Sequence, residues 1–176
     1  FDVLFVSRRS RLRQGTRFTR RGLDDGGNVA NFVETEQASG NKNIFLRFVT
    51  SHVQVRGSIP VLWSSPTNLR YRPKVRIDPD REASLRALRR HAEDLIWLYA
   101  KRGGGIVFVN LVDKTKEQGQ LGEAFDAALE AVTSGAGRED APSDGVEGNN
   151  NAPAKEGAAG LTGSLRHVWF DFHHEV

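Results

Sequence analysis

Apolar and polar positions alternate with a strand-like period over the first 64 residues. Phe1–Ser7 is apolar and β-prone, and Thr16–Gly22 alternates less cleanly. Asp24-Asp25-Gly26-Gly27-Asn28 predicts a tight reversal, because carboxylates, Asn and Gly favour turn geometry. Val29–Gln37 resumes as a strand through Val29, Phe32 and Val33, and Ser39–Asn43 predicts a second turn. Ile44–Arg56 is a long β-prone run and Ser58–Trp63 another, with Gly57 at the bend or bulge between them. Sequential hairpins of this kind predict an antiparallel sheet.

The period then changes. Pro66, Pro73 and Pro79 punctuate an extended crossing. Asp78 is placed to N-cap a helix with Pro79 at its first position. Leu85, Leu88, Ala92, Leu95, Ile96 and Tyr99 recur at helical spacing and define one buried stripe, with Arg86, Arg89, Arg90 and Glu93 off it. Gly103-Gly104-Gly105 reads as the helix stop, not as a phosphate loop, since no Lys-Ser/Thr follows. Ile106–Val112 predicts a buried strand. Leu121, Phe125, Leu129 and Val132, with Ala124 and Ala128, predict a second amphipathic helix, and Leu165–Phe172 a last strand. Residues 134–163 are rich in Gly, Ala, Asn, Pro and acidic side chains. They lack the bulky apolar groups needed to order themselves, so a disordered low-complexity insert is expected there. The fold class that follows is mixed α/β (α+β): an antiparallel β-rich first part, then an α/β unit.

Composition sharpens this picture. With 176 residues the chain is long enough for one domain, and its 38% hydrophobic content is low, in keeping with a polar insert. There is no cysteine, which excludes disulfides, thiolate metal sites and a cysteine nucleophile within this chain, and which fits an intracellular protein. There is no methionine and the first residue is Phe1, so a fragment or processed chain is expected. The longest apolar run, near residues 106–112, is far short of the roughly 20 residues that span a bilayer. Charge is divided: residues 1–104 carry 20 Lys and Arg against 10 Asp and Glu, and the rest 5 against 12. The basic part points to an anionic partner, or simply to a solvated Arg-rich surface.

Arginines, asparagines and glutamates cluster in the order Ser7-Arg8-Arg9-Ser10, Gly15-Thr16-Arg17, Arg20-Arg21-Gly22, Asn28 to Gln37, and Gln54-Val55-Arg56-Gly57-Ser58-Ile59-Pro60. The planar guanidinium fork suits phosphate oxygens, and nearby carboxylates can fix its orientation. From the residues alone, a strand-to-strand ion-pair network with no ligand is the favoured reading and a phosphate surface the other. A nucleic-acid surface would set aromatic residues among the arginines on one face, and no such stripe is present, so nucleic acid is not an expected partner. Asp171, His173, His174 and Glu175 contain metal-ligating types, but adjacent histidines on a strand point to opposite faces, and no metal site is expected.

These segments resemble the Sac domain of synaptojanin-like phosphoinositide phosphatases. The resemblance rests on Ser7–Arg9, Gly15–Arg17, Arg21–Gly27 in altered form, Ala30–Gln37, Gln54–Pro60, Trp63, Tyr71–Lys74, Asn110–Val112 and Phe170–Glu175, in order. It implies a partial Sac domain over 1–176, part of a Cys-x5-Arg phosphatase fold. It also implies hydrolysis of monoester phosphate from phosphatidylinositol 4-phosphate, 3-phosphate or related lipids through a cysteinyl phosphate, without metal or other cofactor. The catalytic loop of the family lies C-terminal of the Asp-Phe-His segment, and Val176 stands where a Cys often follows His-His-Glu. No catalytic residue is therefore expected in this chain, and the piece on its own is expected to be inactive. The resemblance implies Arg56, then Arg17 and Arg21, near the lipid headgroup, with Asn31, Glu34, Glu36, Asp171 and His173 in support. It further implies action on phosphoinositide headgroups at a membrane, on the cytoplasmic face of the endoplasmic reticulum, Golgi or endosomes. The alternative is a non-catalytic phosphoinositide-binding or scaffolding module.

Overall fold

A computed structural model describes residues 2–15, 19–40, 49–66, 74–100, 104–137, 161 and 165–170. Three strands, β1 (Asp2–Arg9), β2 (Val33–Gly40) and β3 (Val49–Arg56), form an antiparallel sheet in that order. Arg9, Val33 and Arg56 lie abreast at one end, and Asp2, Gly40 and Val49 at the other. Two short strands, β4 (Trp63–Ser64) and β5 (Arg76–Ile77), pair antiparallel. Helix α1 (Arg81–Tyr99), strand β6 (Ile106–Asn110), helix α2 (Lys116–Thr133) and strand β7 (Leu165–Trp169) follow, with β6 and β7 parallel. The fold is mixed α/β, an antiparallel part followed by an α/β unit. Of residues 134–163, only 134–137 and Leu161 are described; 134–137 form a turn and Leu161 packs into the core.

Several element boundaries differ from the sequence pattern, each for a local reason. Residues 19–22 form a loop, not a strand. β2 starts at Val33, not Val29, because Asn31 adopts φ 59° and breaks the extended run; Val29 makes only a single bridge to Leu23. Residues 58–62 turn instead of extending. The Val61 amide donates to the Ile59 carbonyl across Pro60, which has no amide hydrogen of its own. β6 is not buried on both faces: Val107 and Val109 are more than half exposed, because only the face of Ile106 and Phe108 packs against the core.

Helix α1 begins two residues later than the Asp78-Pro79 pattern suggests. Asp80 is the N-cap, its Oδ1 accepting from the Ala83 amide at 2.9 Å, while Asp78 Oδ1 accepts from the Asp80 amide. The predicted stripe of α1 is buried through Leu85, Leu88, Ala92 and Leu95, but Tyr99 at the helix end is 37% exposed. Arg89, expected on the solvent side, is buried. Its Nε donates to the Ala136 carbonyl at 3.0 Å and its Nη2 to the Val132 carbonyl at 3.3 Å, where α2 leaves carbonyls without helical partners.

One core joins the parts. Leu85, Leu88 and Ala92 of α1 meet Leu121, Phe125, Leu129 and Val132 of α2, and Leu23, Val29 and Val61 from the loops pack against them. Burying each large side chain stabilises the fold by about 1.5–3 kcal/mol. The loop from Asp24 to Asn28 docks on α1 through Gly27. At φ 81°, with His91 and Arg90 atoms about 3 Å from where a Cβ would stand, this position requires glycine. The Gly27 carbonyl accepts from His91 Nδ1 at 3.0 Å, and burial holds the His91 pKa below its ordinary value. The N-terminal loops and α1 are thus fixed to each other, and the antiparallel sheet extends from that junction.

Candidate functional site

The site is built where the end of the antiparallel sheet meets the 10–32 loop. Arg56 closes β3, and the chain then bends at Gly57, where a Cβ would stand 2.7 Å from Val29 Cγ1. Ser58 follows, and its Oγ accepts from the Gly22 amide at 3.0 Å while its own amide donates to the Ala30 carbonyl. The Arg56–Pro60 segment therefore holds the loop that carries Arg21. Trp63 completes the bend, its Nε1 donating to the Ile59 carbonyl at 3.0 Å. The Arg21 guanidinium lies over the Trp63 ring, 5.4 Å from its centroid, a cation–π contact.

Two further side chains clamp this loop. Arg13 donates from Nε to the Gly22 carbonyl at 3.1 Å and from Nη2 to the Arg21 carbonyl at 2.8 Å. Burial holds the Arg13 pKa below its ordinary value, and nearby Asp24 opposes that shift. Asn31 donates from Nδ2 to the Arg20 carbonyl at 3.2 Å. Asn31 thus fixes the backbone beside Arg21, not a guanidinium.

Glu34 and Glu36 lie elsewhere. In the β1–β2 register Arg8 is opposite Glu34, and Arg9 is opposite Val33. Since neighbours along a strand point to opposite faces, Glu34 and Glu36 share a face with Arg8, whereas Arg56 shares the other face with Arg9. Arg8 Nη1 donates to Glu34 at 2.7 Å and Nη2 to Glu36 at 2.8 Å. Ser51 donates to Glu36 at 2.8 Å, and the Tyr99 hydroxyl donates to Glu34 at 2.5 Å. The hydrogen bond from Arg8, then that from Ser51, holds the Glu36 pKa below the usual carboxylate value. Partial burial, then the bond to Glu34, holds the Tyr99 phenol above its ordinary value.

The guanidinium these glutamates orient is therefore Arg8, which the sequence pattern did not single out. Register carries that information, and register is invisible until the strands are paired. Arg56 and Arg21 are brought to one junction through Ser58 and Gly22, with Asn31 beside them. Arg17, Asp171 and His173 lie outside the described residues, as do His174 and Glu175. Among the described residues no group of three or more His, Asp or Glu is placed to hold a metal ion, and no helix is long and apolar enough to cross a membrane. At this junction Arg56 is exposed to an anion whereas Arg21 is part-buried over Trp63, and the chain contains no thiol nucleophile.

The SacI homology domain profile matches residues 1–176. The chain belongs to the Sac family. It is 40% identical over 132 residues to "Phosphoinositide phosphatase SAC6" of Arabidopsis thaliana, which covers 75% of this chain and 21% of that protein. It is 42% identical over 125 residues to human "Phosphatidylinositide phosphatase SAC2", covering 71% of this chain and 10% of that protein. The "Phosphatidylinositol-3-phosphatase SAC1" of Saccharomyces cerevisiae is 33% identical over 172 residues, 97% of this chain and 22% of that protein. This Sac chain thus spans between a tenth and a quarter of the length of these relatives.

Proposed function

We propose that this chain is the scaffold and part of the cationic headgroup surface of a phosphoinositide phosphatase. The reading rests on the Sac-family match along the whole chain, to relatives whose names state that activity. In it, the protein removes a monoester phosphate from a phosphatidylinositol phosphate, such as the 4- or 3-phosphate, on the cytoplasmic face of an endomembrane. The nucleophile is a cysteine supplied from outside these 176 residues, since none is present within them. A thiolate attacks phosphorus, the lipid hydroxyl leaves, and water hydrolyses the cysteinyl phosphate.

The role of this chain is positional and electrostatic. Arg56 and Arg21, with Arg17, present positive charge to the phosphorylated inositol, and charge-assisted bonds from guanidinium forks favour dianionic phosphate. Asn31 supports Arg21 through the loop backbone, Glu34 and Glu36 support the sheet through Arg8, and Asp171 and His173 support the segment leading to the nucleophile.

The test is Arg56→Ala in the full-length protein. Turnover of phosphatidylinositol phosphate should fall at least tenfold, the scale of one lost charge-assisted contact. The thermal midpoint should stay near wild type, because Arg56 is exposed. Wild-type turnover at wild-type stability would remove Arg56 from the headgroup surface. A full-length chain that binds phosphoinositides without hydrolysing them would favour the non-catalytic module.

A further inference from the structure

The two faces of the antiparallel sheet differ in charge. The face turned to Tyr99 carries Asp2, Arg8, Glu34 and Glu36, and Arg8 is held by both glutamates. The opposite face carries Arg9 and Arg56 at one end, flanking the buried Val33, with His52 and Gln54 along β3. At the far end of that face stand Val3, 49% exposed, and Phe5, 66% exposed. Within the three strands this face bears no carboxylate at all.

We propose that this acid-free face of the β1–β2–β3 sheet docks on an anionic lipid bilayer, Phe5 and Val3 entering the headgroup boundary and Arg9 and Arg56 meeting lipid phosphates. The charge pattern selects this occupant. An exposed aromatic ring on the same face as two arginines, with every carboxylate of the sheet on the reverse side, complements a surface that is both negative and apolar beneath. An aromatic ring suits the interfacial depth, and a basic residue near an anionic leaflet contributes about fivefold in affinity. A protein partner with an apolar patch would leave Arg9 and Arg56 without matching charge. The proposal deepens the phosphoinositide reading and rests on it for the identity of the surface. A domain that works on a lipid headgroup would be held against the bilayer that contains it.

The experiment is vesicle co-sedimentation of the full-length chain with phosphatidylcholine alone and with phosphatidylcholine containing phosphatidylserine. Wild type should bind the anionic vesicles and release from them as salt rises. Phe5→Ser should weaken binding about tenfold, from loss of a buried ring, and Arg9→Gln about fivefold. Leu4→Ser, a similar apolar loss on the reverse face, should bind like wild type. Unchanged binding by both Phe5→Ser and Arg9→Gln would overturn the proposal. So would a fall of many degrees in the thermal midpoint of Phe5→Ser, which would show the ring to be covered by protein. A smaller sedimenting mass for Phe5→Ser than for wild type would instead assign the face to a second copy. Hydrolysis of a soluble short-chain phosphatidylinositol phosphate by the wild type is scored separately. Its absence would sink the phosphatase reading, whereas the vesicle comparison judges the docking face alone.

Discussion

The helical half of the molecule and its antiparallel sheet use the same residue type for opposite purposes. In the helical half, Arg89 is 6% exposed and is spent on the carbonyls of Val132 and Ala136. In the sheet, Arg8 is half exposed and bridges two glutamates, and Arg9 and Arg56 are exposed beside a buried valine. The burial pattern divides the same way. Both helices bury a continuous stripe, whereas Val33 is the one buried position in the three strands. A region held by packing has little freedom in its side chains. A sheet held by ladder hydrogen bonds and cross-strand pairs leaves its side chains available for a ligand.

The sharpest way to break that contrast is to truncate one phenylalanine in each region. Phe125 is 1% exposed, edge-on to Phe108 and His167. Phe125→Ala should cost about 3–5 kcal/mol, the transfer and cavity terms of a large core truncation. Phe5→Ala, at 66% exposure, should stay within about 0.5 kcal/mol of wild type. Urea unfolding of the two variants measures both. Equal losses would mean that the sheet is packed after all.

Arg89 gives the next largest effect. Arg89→Ala takes the side-chain donor from the Ala136 carbonyl, leaves the Val132 carbonyl with the Gly135 amide alone, and removes a packed stem, so about 2 kcal/mol should be lost. Arg89→Lys should recover only part, because one ammonium cannot reproduce the fork that reaches two carbonyls. Thermal unfolding of the pair decides this. Full rescue by lysine would show that charge alone, not the fork, matters at the end of α2.

The helical half was largely legible from sequence because its signal is periodic and local. Leu85, Leu88, Leu95, Phe125 and Leu129 fall where a helical period places them, and all are buried. Arg89 was not legible, because its destination lies 43 and more residues away, at the end of another helix. The start of α1 was misplaced because Asp78 and Asp80 both have the cap chemistry, and only geometry shows which carboxylate reaches the Ala83 amide. In the sheet, the strands and their sequential antiparallel order could be read but their register could not. A one-residue change of register would have put Glu34 with Arg56. The actual register gives Glu34 to Arg8 and leaves Arg56 on the face with Arg9. The motif around Arg56 was readable as a family mark. Its structural work, done by Ser58 on the Gly22 amide, depends on a contact across 36 residues that no local pattern carries.

The smallest expected effect belongs to the Arg8 network, and it is tied to pH. The hydrogen bonds from Arg8 and Ser51 hold the Glu36 carboxyl below its ordinary 4.5. A depressed carboxyl pKa means that the unfolded chain binds the proton more readily. The stabilisation is therefore complete above pH 4.5 and is lost as pH falls through the depressed value. Arg8→Gln should remove that component, lowering the midpoint at neutral pH by only a small amount, because water screens a pair at this exposure, and leaving it unchanged once Glu36 is protonated. Urea midpoints against pH, for wild type and Arg8→Gln, should diverge above about pH 4.5 and converge as Glu36 protonates. Added salt should shrink the divergence, as it does for surface charges. An Arg8→Gln loss as large as that of Phe125→Ala, and indifferent to salt, would make the network a second core. The sheet would then be held as rigidly as the helices, and its outer face would no longer be the part of the molecule left open to a ligand.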